Sequence, residues 1–528
     1  MKPVSIKALT IYSEALDLYR EKEYDAALEK LVMLDSSEEY DKAALLKAYI
    51  YRNSGRQLKE LEALAPLLEK SRTETGLEEK AFYAEAWSLA GAAFSTLSDH
   101  DTAKEAFLRS ADTEPDLYKK FAEYSNVIFI SNYTEALHAE LDSIYKQCNE
   151  LLQAIKPFTE YNTSDGPLRL GIISSDLHRH PVASLLVALF RYHDKQKLEL
   201  WCYSAGTPDD VTEKLEKMAD FWCDIRGWHT EEIAKRIRAD GIGVLFDPSG
   251  HTAGNFCPVM AYRPAPLQLS GIGYMGTTGL TRVDYFLGDK HLDEDSAEQD
   301  FAEKLLIMPE THFSYTPLIL PPDPAEEAPV LEKGYITFGC FNNLSKVTEE
   351  MLAVWQQIME RVPQSKLLLK NKLLNTEDGQ QYMKDRLSGH GLDITRIELQ
   401  GFSGNYLQEY KRMDIALDTY PYTGGQTTLE ALYMGVPVIS RYGRQHGTRF
   451  GYSILQNCGI PELAVASDSE YVERAVGLAE DKDLLNALHQ NLRQLMEKSP
   501  LMNGIQWTKD FTELLLSVWE EHKVKKRD

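Results

Sequence analysis

Positive charge is scarce in this chain of 528 residues: 57 lysines and arginines stand against 81 aspartates and glutamates, a formal net charge of −24. That balance argues against a nucleic-acid partner, so any anionic ligand has to be held by a local pocket. A small phosphorylated ligand is favoured over a polymer. Cysteine is sparse too. Cys148, Cys202, Cys223, Cys257, Cys340 and Cys458 are scattered with no C-x-x-C pair, which argues against a disulfide framework and a structural zinc site and reads as reduced, mostly buried thiols. Long apolar runs are missing: no stretch reaches about 18 residues, and the segment from Met1 to Ala8 lacks an apolar core of signal-peptide length. A soluble, cytoplasmic protein without a membrane partner is expected. Glycine and proline are rare as far as residue 157 and common afterwards, and the length predicts about three domains.

Residues 1–157 follow a helical period, whereas short β-branched runs alternate with helical stretches from Gly166 onward. The segment Thr159-Glu-Tyr-Asn-Thr-Ser-Asp-Gly-Pro167 reads as the link. Within the helical region Trp87, Gly91, Phe94, Ala103, Phe107 and Pro115 occupy the large and small positions of a tetratricopeptide unit of about 34 residues. Gly91 and Ala103 would let two helices approach while the aromatic rings fill the gaps. An earlier hairpin around Ala15, Tyr19, Tyr24, Ala27 and Leu31 fits less well, and residues 40–75 look helical but degenerate. A plain helical bundle is the alternative. Either form offers a surface for protein partners, with a homo-oligomer among the open arrangements.

Beyond the link, strands are expected at Leu168–Ser175, Leu198–Tyr203, Gly243–Phe246, Leu267–Ile272 and Asp284–Leu287, with an apolar helix over Leu185–Tyr192. A second set follows at Tyr335–Phe341, Leu367–Leu369, Ile397–Leu399, Asp414–Leu417 and Val436–Ile439. Strands spaced by helices imply parallel sheets that bind ligands outside their C-terminal strand ends. The fold class is therefore α/β, with two Rossmann-like lobes preceded by an all-α tetratricopeptide-like domain. Domains are expected at 1–157, 166–320 and 330–528, and the acidic, proline-rich Leu320–Pro329 reads as the hinge between the lobes.

The stretch Pro421-Tyr-Thr-Gly-Gly-Gln-Thr-Thr-Leu-Glu430 follows the strand Asp414–Asp418 and opens a helix that stops at Gly435-Val-Pro437. Close backbone approach at Gly424 and Gly425, free N–H groups and the Thr427 and Thr428 hydroxyls at a helix N-terminus suit a phosphate. The same residues also read as an ordinary strand-turn-helix junction with a threonine cap.

Several ordered segments carry a family resemblance. They are Ser174-Ser-Asp-Leu-His-Arg-His-Pro181, Asp247-Pro-Ser-Gly-His-Thr-Ala-Gly254, Arg263-Pro-Ala-Pro-Leu-Gln268, Gly273-Tyr-Met-Gly-Thr-Thr-Gly279, Phe338-Gly-Cys-Phe-Asn-Asn-Leu-Ser-Lys346, Leu417–Glu430 and Tyr433-Met-Gly-Val-Pro437. Over about Leu168 to Trp519 the chain resembles the protein O-GlcNAc transferases and their Spindly-type relatives, glycosyltransferases of GT-B type that join tetratricopeptide repeats to two Rossmann-like lobes.

The resemblance places a reacting-centre histidine on His180, whose imidazole could act as a base or a positioner. It places the phosphate-binding lysine on Lys346, a point cation for the leaving diphosphate. Asn343 falls where the O-GlcNAc transferases tend to carry Gln close to the nucleotide. Gln426 and Thr427 match the diphosphate turn, with Thr428 one step further into the helix. Glu430 falls on a ribose partner and reads equally as an acid in the first helical turn. Tyr406 lies near a histidine that stacks on the base. The turns Asp247–Gly254 and Gly273–Gly279 are expected walls of the sugar or acceptor pocket, and His251 takes no role. Asp293-Glu-Asp295 spells an acid-x-acid metal motif, but the loop Asp289–Asp300 reads as a solvated turn and the resembled family works without metal.

The resemblance implies an inverting, metal-independent glycosyltransferase that needs no cofactor and moves a sugar from a nucleotide diphosphate to a protein acceptor. GlcNAc transfer from UDP-GlcNAc to Ser or Thr comes first. Protein O-fucosylation from GDP-fucose is second, because Gly250–Asn255, Thr277–Leu280 and Phe341–Lys346 resemble the Spindly branch. Glucosylation of Asn is third. A repeat-based binding scaffold with silent lobes is the alternative outside catalysis.

Overall fold

Alanine and glycine at helical spacing let the N-terminal helices pack close in the structure, a computed structural model that describes residues 6–34, 40–71, 76–163, 166–293 and 300–525. The helices are α1 (Ile6–Arg20), α2 (Tyr24–Val32), α3 (Tyr40–Asn53), α4 (Gln57–Lys70), α5 (Leu77–Thr96), α6 (His100–Thr113) and α7 (Leu117–Ile130). Residues 40–71, which look degenerate in sequence, form the full pair α3 and α4. Ala8, Ala15, Ala27, Leu31, Ala43 and Ile50 make one buried cluster, and Ala44, Ala48, Leu64, Leu67, Tyr83 and Ala86 the next. At Gly91 a Cβ would stand 2.7 Å from the Phe107 ring, so only glycine admits the α5–α6 contact. Trp87 is half-buried, donating from Nε1 to Ser71 Oγ at 3.0 Å beneath the Arg109 guanidinium. Of the expected link, Ser164 and Asp165 lie outside the described residues.

The chain divides into two compact units. The first joins Met1–Ser131 to Asn343–Thr348 and Leu369–Ser403, which carry the short 3-10 turn Leu344–Lys346 and the helix Glu377–Gly389. The second holds Asn132–Asn342, Glu349–Leu368 and Gly404–Asp528, and so includes the last residues of the expected helical domain.

Near-continuous apolar runs, as parallel strands covered on both faces require, build the two sheets. The first runs β3-β2-β1-β4-β5-β6-β7, from β1 (Leu168–Ser174), β2 (Leu198–Ser204), β3 (Phe221–Asp224), β4 (Val244–Asp247), β5 (Leu267–Gly271), β6 (Tyr285–Asp289) and β7 (Lys304–Met308). The second runs β10-β9-β8-β11-β12-β13, from β8 (Thr337–Cys340), β9 (Lys366–Lys370), β10 (Ile397–Gln400), β11 (Ile415–Leu417), β12 (Val438–Arg441) and β13 (Ala464–Val465). β1 pairs in parallel with β2 and β4, and β11 with β8 and β12. The apolar helix begins earlier than the sequence suggests, at Pro181, because His180 caps it and proline suits the first helical position. The terminal helix Gly504–Lys525 packs on it, where a Cβ at Gly504 would lie 2.7 Å from that of Ala188.

The proline-rich linker is strapped down: Arg493 donates to the Pro322 carbonyl at 2.7 Å, and the Ala328 N–H donates to Asn486 at 2.9 Å. All six cysteines are buried free thiols. The acidic loop departs from the expected solvated turn. Asp289 and Asp293 are buried, because His312 lies 3.2 Å from the first and His446 2.9 Å from the second. Glu294 and Asp295 lie outside the described residues.

Candidate functional site

The chain leaves β11 at Asp418, at the C-terminal edge of the second sheet. This carboxylate is 2 % exposed and fully engaged. Its Oδ1 accepts from the N–H groups of Thr419 and Gly424 at 2.9 and 2.7 Å and from the Asn342 amide at 3.1 Å, while Oδ2 accepts from the Ser440 hydroxyl at 2.7 Å. One buried anion thus folds the loop Thr419–Gly425 back on itself, where Thr423 adds a bond to the Gly447 carbonyl. A Cβ on Gly424 would stand 2.6 and 2.7 Å from the Thr427 and Thr428 hydroxyls, so the turn has no room for a side chain there.

The helix Gln426–Tyr433 starts from Gly425, with no side-chain cap. The threonine-cap reading is therefore replaced by a glycine cap: Thr427 donates instead to Asn342 Oδ1 at 2.6 Å, and Thr428 is buried. Leu429 makes the first intrahelical bond to the Gly425 carbonyl, so the N–H groups of Gln426, Thr427 and Thr428 precede the helical ladder. Glu430 falls in the second turn, not the first.

Gln426, Glu430 and Tyr406 form one chain of hydrogen bonds. Gln426 Nε2 donates to Glu430 Oε1 at 2.9 Å, the Tyr406 hydroxyl donates to the same oxygen at 2.6 Å, and Gln426 Oε1 accepts from the buried Ser184 at 2.8 Å. Ser184 lies on the helix that His180 caps. Burial raises the Glu430 carboxyl to about 7, against the opposing hydrogen bonds from Tyr406, Gln426 and Tyr410. Because the folded value lies above the ordinary 4.5, the native state holds a proton that the unfolded chain has lost between those pH values. Glu430 therefore stabilises the fold most at low pH, and that contribution falls as pH rises from 4.5 through about 7. Glu430→Gln should flatten this part of the stability profile, as read by denaturant melts at a series of pH values.

His180 accepts the Val182 N–H at Nδ1, 3.3 Å away, and stands 3.7 Å from Asp176 with the His178 ring alongside. Burial lowers its pKa, Asp176 opposes that and His178 adds to it. With Nδ1 accepting, the proton of the neutral ring sits on Nε2, which is then a hydrogen-bond donor. Asp176 is itself held by Ser249 at 3.0 Å.

A small pocket adjoins the turn, lined by Pro421 and Tyr422 together with Met275, Asn132, His138 and Gln445. Met275 belongs to Gly273–Gly279. In the neighbouring turn His251 is buried and bonded to the Thr278 carbonyl at 2.7 Å, a structural duty.

The second unit thus brings together Tyr406, Gln426 and Glu430, joins them through Ser184 to the helix of His180, and links Thr427 to Asp418 through Asn342. Asn343 and Lys346 belong to the first unit, where Asn343 caps the turn Leu344–Lys346 by accepting the Ser345 N–H at 3.3 Å. Asp418, Asn342 and Ser184 were missed in the sequence, the first two although they stand inside recognised motifs. No group of three or more histidine, cysteine, aspartate or glutamate side chains among the described residues is arranged to hold a metal ion.

Residues 136–316 and 327–511 match the model of glycosyl transferase family 41. A relative from Petunia hybrida, named a probable UDP-N-acetylglucosamine–peptide N-acetylglucosaminyltransferase SPINDLY, is 36% identical over 384 residues, covering 70% of this chain and 41% of its own. The SPINDLY relative from Arabidopsis thaliana is 37% identical over 366 residues, covering 67% and 40%. The SEC relative from the same plant is 29% identical, covering 67% and 37%. The chain thus spans about two fifths of the length of these relatives. Among solved structures, a mutant O-GlcNAc transferase from Thermobaculum terrenum superposes with a TM-score of 0.85 at 25% identity, covering 98% of this chain and 99% of that one.

Proposed function

The chain belongs to glycosyl transferase family 41, and we propose that it is an inverting transferase that moves GlcNAc from UDP-GlcNAc to Ser or Thr hydroxyls of a protein. The observation that carries this reading is the loop folded around Asp418, which puts Gly424, Gly425 and the leading N–H groups of the helix Gln426–Tyr433 at the end of a parallel strand, where a diphosphate is held by dipole and backbone. Gln426, Thr427 and Thr428 form that cradle. Glu430 and Tyr406 are the ribose and base side of it. Lys346, by its place in the family motif, neutralises the leaving diphosphate, and Asn343 holds its turn. This cationic arrangement makes a metal unnecessary. His180 donates from Nε2 and is a positioner of the acceptor or donor oxygen, consistent with its tautomer.

The turns Asp247–Gly254 and Gly273–Gly279 wall the sugar and acceptor side; for the second of them, the support is that Met275 lines one pocket with Tyr422. In this division of labour residues 1–157 meet the protein acceptor, 166–320 carry its reacting side and 330–528 bind the nucleotide sugar. The described helices include none long and apolar enough to cross a membrane, and the reading places the enzyme in the cytoplasm.

The second reading is O-fucosylation from GDP-fucose, resting on the resemblance of Gly250–Asn255, Thr277–Leu280 and Phe341–Lys346 to the Spindly branch. Offering both donors in competition over a peptide rich in Ser and Thr tests the choice. Mass spectrometry should find an N-acetylhexosamine on a hydroxyl side chain; a deoxyhexose instead would establish the second reading.

A further inference from the structure

The turn that carries Lys346 is gripped by the helical array. Leu344 and Ser345 are buried, and three carbonyls around Lys346 each take a side-chain donor. The Leu344 carbonyl accepts from Ser98 Oγ at 3.0 Å, that of Ser345 from His100 Nε2 at 2.7 Å, and that of Val347 from Arg386 at 2.5 Å. Since a carbonyl only accepts, His100 carries its proton on Nε2. Ser98 comes from the tight connection between α5 and α6 and His100 opens α6; Ser98 adopts a φ of +64° and Asp99 caps α6 through the Thr102 N–H. Arg386, on the helix Glu377–Gly389, also donates to Ser98 Oγ at 3.1 Å, and Tyr382 on the same helix donates to the Leu97 carbonyl at 2.6 Å. All of these residues belong to the first unit.

A helical region that only recruited acceptors would not need to fix the backbone on both sides of a lysine. We propose that Ser98, His100 and Arg386 are positioning residues for Lys346, so that the α5–α6 hairpin sets where the ammonium group stands. This rests on Lys346 acting on the donor phosphates, as proposed above. The 3-10 turn is only three residues long, and a displacement of about 1 Å at a catalytic group can cost on the order of 100-fold in rate.

The test measures turnover and donor KM by nucleotide release from UDP-GlcNAc, with His100→Ala, His100→Gln and Ser98→Gly each made in the wild type and in Lys346→Ala. Ser98→Gly keeps the left-handed turn while removing the hydroxyl, so it stays informative where His100→Ala fails to fold. Turnover should fall about 10-fold to 100-fold for His100→Ala, recover substantially for His100→Gln, whose amide can still donate, and fall in the same direction for Ser98→Gly. In Lys346→Ala the same changes should cost less than about 2-fold, since the group they position is gone. Equal losses in both backgrounds, or wild-type turnover in His100→Ala and Ser98→Gly, would overturn the inference. Normal turnover in Lys346→Ala alone would instead remove the assignment of Lys346 on which it rests.

Discussion

Replacing Asp418 by alanine should cost about 3–5 kcal/mol of stability and abolish donor binding, because it leaves several buried donors without their acceptor. Thr419 N–H, Gly424 N–H, the Asn342 amide and the Ser440 hydroxyl all converge on this carboxylate. Asn342 in turn holds Thr427, so the damage spreads from the loop to the first turn of the helix. Asp418→Asn keeps the shape but puts an amide NH₂ where one oxygen accepts, and should fall between wild type and alanine. Denaturant melts and nucleotide-induced stabilisation read both effects. An alanine variant that melts like the wild type and still binds nucleotide would mean that the turn is organised by something other than this anion.

Lys346→Ala should leave the fold intact and reduce turnover on the order of 100-fold or more, the scale at which removing a group that stabilises developing negative charge is felt. The fold should survive because the turn is held through backbone carbonyls, by Ser98, His100 and Arg386. Steady-state nucleotide release, with a melt as control, separates the two effects. Near-normal turnover would remove Lys346 from the chemistry.

The central strands of both sheets were legible as apolar runs, but β3, β7 and β13 were not. Each is an edge strand of its sheet, and Phe221, Trp222 and Leu305 are only half-covered while Lys304 is exposed, so the continuous run that marks a doubly covered strand is missing. The phosphate turn was legible because its chemistry is local, in Gly424, Gly425 and the threonines after them. The organiser of that turn was not. Asp418 reads as a polar residue ending a strand until β8 and β12 bring Asn342, 76 residues away, and Ser440, 22 residues away, against it. Asp293 misled for the same reason, since the histidine that buries it lies 153 residues further on. Glu430 was recognised as an acid near a helix start, but its partners Tyr406 and Gln426 emerge only from the packed helix.

Nucleotide release from UDP-GlcNAc, GDP-fucose and UDP-glucose by the purified chain, with and without a Ser/Thr-rich peptide, tests the reading of a nucleotide-sugar transferase most directly. Release from UDP-GlcNAc, accompanied by sugar on the peptide and lost in Lys346→Ala, is the expected result. No release from any of the three donors under either condition would contradict it and leave a helical binding scaffold on two silent lobes.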